Sequence, residues 1–198
     1  MTTEHLALIR RLIESFIDYP KSLRIDVSTR SGTSYVLMQC HASDHAKMVG
    51  KAGSHFHALR VIISELGTQA GTIYKLCRYL EPEFGQRSAR TDQVVAAAYN
   101  TAPACDLLAA IFAELCSGQY AIDADPQPQT ADGRLSYHLN VIIGDETDYN
   151  TLTRYAAPIE QIPTNAEAPM TIIGAIGTIF RAYANRAGVR FAVQLKLP

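Results

Sequence analysis

The sequence has no tryptophan, only four cysteines, and no apolar run long enough to cross a membrane. None of the cysteines forms a CxxC pair and each lies in an apolar stretch, which favours buried, reduced thiols (Cys40, Cys77, Cys105 and Cys116). The N-terminus has an amphipathic pattern in place of a secretory leader. These absences predict a protein of a reducing, cytoplasmic compartment that makes no contact with membranes.

Motifs for catalysis are also missing, because the chain contains no GxSxG, HExxH, Walker loop or GxGxxG after a strand. We therefore expect a protein that is not an enzyme and uses no cofactor and no metal. The net charge of -1 argues against a basic clamp on duplex DNA. Residues 1–85 nevertheless hold ten Lys and Arg against eight Asp and Glu, whereas residues 86–198 hold eight against eleven. If one half of the chain binds phosphate groups, we expect it to be the first half.

Hydrophobic periodicity predicts the elements of the first half in the order helix, strand, strand, helix, helix, strand. Apolar residues at helical spacing indicate a first helix over Thr3–Asp18, and the turn at residues 30–33 joins two predicted strands. A short helix then leads to Gly50, and a longer one follows Gly53. A strand over Thr72–Leu80 closes the set.

The second half starts the same order again after a linker, which we place at residues 83–100 and which could include a short helix from Asp92. Pro103 lies in the first turn of an apolar helix, and two strands follow near residues 120–125 and 135–143. Further along the chain we expect a helix over Tyr149–Ala157. An insertion interrupted by prolines comes next, with a capping box at Thr164 and Glu167, before a last helix and strand.

Two GxxG sequences with similar flanks support an internal repeat. Val49-Gly50-x-x-Gly53-Ser54-x-Phe56 resembles Ile173-Gly174-x-x-Gly177-Thr178-x-Phe180, and both continue into a basic-capable residue and an alanine. One GxxG is weak evidence in a chain with 12 glycines, but the shared flanks indicate duplication of one structural unit. The last helix of the second copy would then be about seven residues shorter than that of the first.

Residues 6–80, and most closely 44–60 with the loop Gly50-Lys51-Ala52-Gly53, resemble the small bacterial KhpA-like RNA-binding proteins with a single KH domain of type II topology. The resemblance implies an α+β fold with tandem type II KH-like domains (αββααβ), at residues 1–82 and 101–198, the second divergent and carrying an insertion. A fainter likeness, in architecture alone, is to tandem-KH mRNA-binding proteins of nucleus-forming jumbo phages. Both imply single-stranded RNA, most readily mRNA, as the partner, in a bacterial cytoplasm or a phage-infected cell.

The loop explains how RNA could be bound. A GxxG turn between two helices lets a phosphate approach the backbone and the free amides of the second helix, and KH loops clamp about four nucleotides in this way. We therefore predict low sequence specificity and a first RNA-binding site with an apolar floor of Met48, Val49 and Ala52, which could extend to Val36 and Met38. The predicted site residues are Lys47, Met48, Val49, Gly50, Lys51, Ala52, Gly53, Ser54, His57 and Arg60. We expect Asp44 to be the one acid opposing their charge, and Phe56 to belong to the core.

The second loop lacks a basic residue at its tip, and we expect it to bind RNA more weakly or to pack against the other domain or a second chain. Its residues are Gly174, Ala175, Ile176, Gly177 and Arg181. Two alternatives stay open. The chain could be a protein-interaction module that uses KH-like folds without nucleic acid, or a cysteine peroxidase of similar fold with Cys105 or Cys116 as the reactive thiol. Both cysteines, however, lie on the inward side of an apolar helix, where a thiolate is poorly stabilised.

Overall fold

A computed structural model describes residues 1–79, 99–155 and 170–198 of the chain. These residues form a mixed α+β fold with six α-helices and two three-stranded sheets, which confirms the predicted α+β class. Three predicted features lie outside the described residues: the linker up to residue 98 with its short helix, the proline-interrupted insertion, and the Thr164–Glu167 capping box. Within the described ranges, none of the helices combines the length and hydrophobicity that crossing a bilayer requires.

The first half contains three helices and three strands in the predicted order. Its elements are α1 (Thr3–Glu14), β1 (Arg24–Arg30), β2 (Thr33–Gln39), α2 (His45–Val49), α3 (Ser54–Gln69) and β3 (Ile73–Tyr79). Strand β2 lies at the centre of the sheet, antiparallel to β1 and parallel to β3. A parallel pair needs a crossover connection, which α2 and α3 supply.

The second half repeats this order and this pairing. Its elements are α4 (Ala102–Leu115), β4 (Tyr120–Gln127), β5 (Ser136–Ile143), α5 (Glu146–Thr153), α6 (Ile172–Ala187) and β6 (Arg190–Lys196). Strand β5 lies between an antiparallel β4 and a parallel β6. The described parts of the two halves therefore share one topology.

Two helix boundaries differ from the prediction. Helix α1 ends at Glu14 rather than Asp18, because the chain turns there while Phe16 and Ile17 still enter the core. Helix α5 begins at Glu146 rather than Tyr149, because the Asp145 carboxylate accepts hydrogen bonds from the Thr147 and Asp148 amides and caps an earlier start.

The predicted second glycine loop is wrong. Gly174 and Gly177 lie inside α6, which starts at Ile172 because the Thr171 hydroxyl accepts a hydrogen bond from the Gly174 N–H at 3.0 Å and caps the helix. Both α3 and α6 have 16 residues, so the last helix of the second half is not the shorter one. The similar flanks of the two GxxG sequences are thus out of register with the repeat that the backbone shows.

The helices form the middle of the molecule. Helix α3 packs between β3 and α6, and α6 packs between β6 and α3, so the two sheets lie on the outside. The buried apolar side chains of both halves belong to one continuous cluster, which includes Leu59 and Ile62 of α3 together with Ile176 and Ile179 of α6. The first and second halves therefore share their hydrophobic core.

Candidate functional site

The first GxxG sequence forms an exposed corner between two helices, which we call the glycine corner (residues 50–53). Helix α2 ends at Val49 and α3 begins at Ser54, as the sequence predicts. The side chains of Lys51 and Ala52 are exposed. Ala52 has the left-handed backbone conformation with φ 51° and ψ 33°, which keeps this turn tight.

Gly50 and His55 fit against each other at the base of the corner. A Cβ on Gly50 would lie 2.6 Å from Cγ of His55 and 2.7 Å from its backbone nitrogen. The His55 ring is held by a 2.6 Å hydrogen bond between its Nδ1 and the carbonyl oxygen of Lys47, and it meets the Phe16 ring edge-on. His55 therefore stabilises the shape of the corner rather than facing a ligand.

The first turn of α3 presents a positive electrostatic end at this corner. The helix has no side-chain cap and no acidic residue in its first turn, whereas side chains cap α1, α5 and α6. The amides of Gly53 and Ser54 donate to carbonyl oxygens within the corner. The next amides and the helix dipole point toward an incoming anion.

Two lysines lie at the corner, Lys51 within it and Lys47 on the preceding helix α2. Lys51 forms no ion pair within the described part of the chain, so its ammonium group is available to a ligand there. Lys47, on α2, already contacts the carboxylate of Asp18. Of these two lysines, Lys51 is the better candidate for contact with a phosphate.

The prediction that Asp44 opposes the positive charge is wrong. Its side chain is fully buried, and its carboxylate accepts hydrogen bonds from the backbone N–H groups of Asp18 at 2.9 Å and Tyr19 at 2.8 Å. The acid that faces Lys47 is Asp18. Asp44 instead fastens the loop before β1 to the start of α2.

The predicted apolar floor beside the corner is wrong in part, because only Val49 and Ala52 of its members are accessible. Met48, Val36 and Met38 are at most 1% exposed and belong to the core, so no base can reach them. Both ring nitrogens of His57 are likewise buried, so these atoms are not available to a nucleotide. Val36, Met38 and Met48 belong to a core cluster that also includes residues of α1 and α3, and contacts between such distant segments are not encoded in local sequence.

Of three other predicted site residues, two lie at the edge of the corner and one lies further along α3. Val49 and Ser54 are half-buried on either side of it. The guanidinium group of Arg60 lies 5.2 Å from the centre of the Phe56 ring, two turns along α3. This cation–π contact holds the arginine against its own helix. Phe56 packs against the core, as predicted.

The second predicted set of site residues is not available for binding. Ala175 and Ile176 are fully buried within α6, and only Arg181 of that set is exposed. The Arg181 guanidinium donates to the Thr178 hydroxyl at 3.1 Å. No glycine corner therefore exists at residues 174–177, because these residues form the first turns of a helix that packs against α3.

Cys105 of α4 and Cys116, which directly follows this helix, do not have the properties of reactive thiols. Burial, with a smaller contribution from the negative charge of Asp148, raises the pKa of Cys116 to about 12. Burial likewise raises the pKa of Cys105. A nucleophilic thiol needs the opposite shift. No group of three or more possible metal ligands occurs among the residues that the structure describes.

Sequence reasoning missed a second buried aspartate that matches Asp44. Asp148 of α5 accepts hydrogen bonds from the Gly118 amide at 2.7 Å and from both the amide and the hydroxyl of Ser117. In each half, then, a buried carboxylate at the helix after the second strand binds two consecutive amides of the loop before the first strand. These contacts join residues about 25 and 30 positions apart, so no local motif reveals them.

No family model, no curated protein and no solved structure matches this chain. Its candidate function therefore rests on the residues of the chain and on the geometry described above.

Proposed function

We propose that this chain binds single-stranded RNA at the glycine corner, with low sequence specificity, and that its two halves are tandem type II KH-like units. The observation that carries the proposal is an exposed corner with a glycine at each end and Lys51 between them, from which an uncapped 16-residue helix begins. The αββααβ order of the first half supports the KH-like architecture. The cytoplasmic, mRNA-binding role remains part of this proposal.

The chemistry of the corner suits a phosphate of the RNA backbone. Glycines at both ends leave room for close approach, while the amides and dipole of α3 attract an anion. Lys51 adds a full positive charge beside them. Because backbone amides and one lysine contact sugar and phosphate rather than base edges, the corner contributes affinity without sequence preference.

The proposal makes a prediction about the charge of the corner. We expect the double variant Lys51→Asp with Ala52→Asp to fold like the wild type and to lose measurable binding to an unstructured oligoribonucleotide. Aspartate tolerates the left-handed conformation of residue 52 better than most residues do, so the backbone turn should survive. Fluorescence polarisation titrations at low and moderate salt would measure the loss. For the wild type, the logarithm of the binding constant should fall linearly with the logarithm of the salt concentration, with a slope of about -0.7 per phosphate contact.

A matched control changes the same charges far from the corner. Ala192 and Lys196 are exposed on β6, and their replacement by two aspartates alters the net charge by the same amount. The control should retain most of the wild-type affinity. If both variants bind RNA like the wild type, or if the wild type shows no salt-sensitive binding, the RNA proposal fails and the protein-interaction alternative is favoured.

A further inference from the structure

Two aromatic rings contact each other at a tilt just before the turn Ala42–Asp44 that leads into α2, and we call them the aromatic platform (Tyr19 and His41). Their ring centres are 4.2 Å apart and the ring planes differ by 30°. Tyr19 is 38% exposed, so part of its ring surface is open to solvent. His41 is half-buried, and its Nδ1 accepts a hydrogen bond from the Ser43 amide, which restricts the orientation of that ring.

The platform is held in a fixed position relative to the glycine corner. The buried carboxylate of Asp44 accepts a hydrogen bond from the Tyr19 amide, and Asp44 directly precedes α2. This helix has five residues, so it is roughly 7 Å long, and it ends where the corner begins at Gly50. The short turn Ala42–Asp44 and α2 therefore separate the platform from the corner, and we expect neighbouring nucleotides of an extended strand to cover this separation.

The second half has the same carboxylate clamp without the aromatic residue. Gly118 takes the place of Tyr19, because its amide donates to Asp148 as the Tyr19 amide donates to Asp44. A Cβ at Gly118 would lie only 2.9 Å from Cβ of Asp145, so a side chain does not fit there. The second glycine pair lies inside α6. The first half thus has both the exposed corner and Tyr19 of the platform. The second half has no such corner at its GxxG sequence, and Gly118 stands where the first half has Tyr19.

We propose that Tyr19, supported by His41, stacks on a base of the nucleotide next to the phosphate bound at the glycine corner. This inference rests on the proposed function and specifies how the base is held. Aromatic faces stack on any base, which matches binding without sequence preference. The platform also takes over the role of the buried members of the predicted aliphatic floor, Val36, Met38 and Met48.

The first test uses the absence of tryptophan from the chain. The variant Tyr19→Trp places a single tryptophan in the platform. Its fluorescence should be quenched when an unstructured oligoribonucleotide is added, and it should not be quenched by an abasic sugar-phosphate oligomer of the same length. If polarisation shows that the variant binds the RNA but its tryptophan fluorescence does not change on binding, the platform is wrong.

The second test compares Tyr19→Ala with Tyr19→Phe. Loss of one stacked base should weaken RNA binding by Tyr19→Ala about fivefold or more, whereas Tyr19→Phe should bind like the wild type. Far-UV circular dichroism and thermal unfolding establish that both variants fold. If Tyr19→Ala does not fold, the test is to compare the affinity of the wild type for the abasic oligomer with its affinity for the oligoribonucleotide. The abasic oligomer should bind more weakly, by about fivefold or more.

The outcomes separate this inference from the proposed function. If Tyr19→Ala binds like the wild type while the Lys51 and Ala52 double variant does not, the platform is wrong and the corner stands. If wild-type protein binds no RNA, both are wrong. Weakening in both variants, with Tyr19→Phe unchanged, supports both.

Discussion

Gly50 occupies backbone space that other residues enter only at a cost. Its φ of 75° and ψ of 174° belong to a region that is almost restricted to glycine, and His55 leaves no room for a Cβ. The corner therefore depends on glycine for two independent reasons, conformation and close contact. Both act on the shape of the turn rather than on the ligand directly.

At this scale we expect Gly50→Ala to lower the free energy of unfolding by about 1–3 kcal/mol from backbone strain, with a further loss from the contact with His55. Because His55 would have to move, RNA binding at the corner should weaken as well. Urea denaturation and a polarisation titration on the same preparation would measure both effects.

Gly32→Ala is the control, because Gly32 also has a positive φ but a Cβ there would meet nothing within 4 Å. We expect it to cost about 1–2 kcal/mol from backbone strain alone and to leave RNA binding unchanged. Equal stability of Gly50→Ala and Gly32→Ala would show that the contact with His55 does not matter.

Individual residues show where sequence reasoning works and where it fails. The exposure of Lys51 and Ala52 could be predicted, because two glycines between helical patterns indicate a turn at the surface. The burial of Met48 and of the His57 ring nitrogens could not, because it depends on which helices cover the sheet. Local sequence does not indicate a role for Tyr19, because its ring partner His41 is 22 positions away and Asp44, which binds its amide, is 25 positions away.

At the scale of elements, each half uses a buried carboxylate to hold a loop against a short helix. Asp44 binds two amides and Asp148 binds two amides and a hydroxyl. A carboxylate that accepts several amide hydrogen bonds in the interior is stabilised without a cation beside it. The shared clamp, together with the common sheet order, supports duplication better than the two GxxG sequences do.

We expect Asp44→Asn and Asp148→Asn each to lower the free energy of unfolding by about 1.5–3 kcal/mol, because an amide can present only one acceptor oxygen to two N–H donors. Asp44→Asn should also weaken RNA binding, since it loosens Tyr19, whereas Asp148→Asn should not. Asp26→Asn, at an exposed position of β1, is the control and should change stability by less than about 0.5 kcal/mol. Unchanged stability in both buried variants would contradict the clamp.

The position of the last helix explains why the GxxG alignment gives the wrong register for the repeat. A hydroxyl cap at Thr171 and the apolar residues that follow it start α6 six residues before the point that the GxxG alignment requires. Glycine tolerates many conformations, so a GxxG sequence alone does not exclude a helix. The cap was the stronger signal, and it was present in the sequence.

At the scale of the whole molecule, polar contacts join the two halves beside the shared core. The Thr2 amide donates to the Tyr74 hydroxyl, which lies 3.1 Å from Nδ1 of the buried His5, and Nε2 of His5 lies 3.0 Å from the Glu114 carboxylate of α4. These contacts form a continuous series of polar groups from the N-terminal residues to α4 of the second half. The order of elements could be predicted from sequence, but these contacts between halves could not.

A fragment of residues 1–82 tests whether the first half folds without the second. Val61, Ile62 and Ile63 are consecutive and all at most 2% exposed, and consecutive helical residues point about 100° apart. They cannot all face their own sheet, so part of α3 is buried by α6. The buried Glu65 also loses Arg154, whose guanidinium reaches both of its carboxylate oxygens.

We therefore expect the fragment to be either self-associated or incompletely folded, with increased binding of an apolar dye relative to the full chain. Sedimentation velocity and urea denaturation at matched concentrations would measure this. A monomeric fragment with a cooperative unfolding transition would instead show that the first half is an independent domain, and that the shared core is a contact between two domains that each fold alone. In that case the fragment should also retain RNA binding, because the glycine corner and Tyr19 both lie within it.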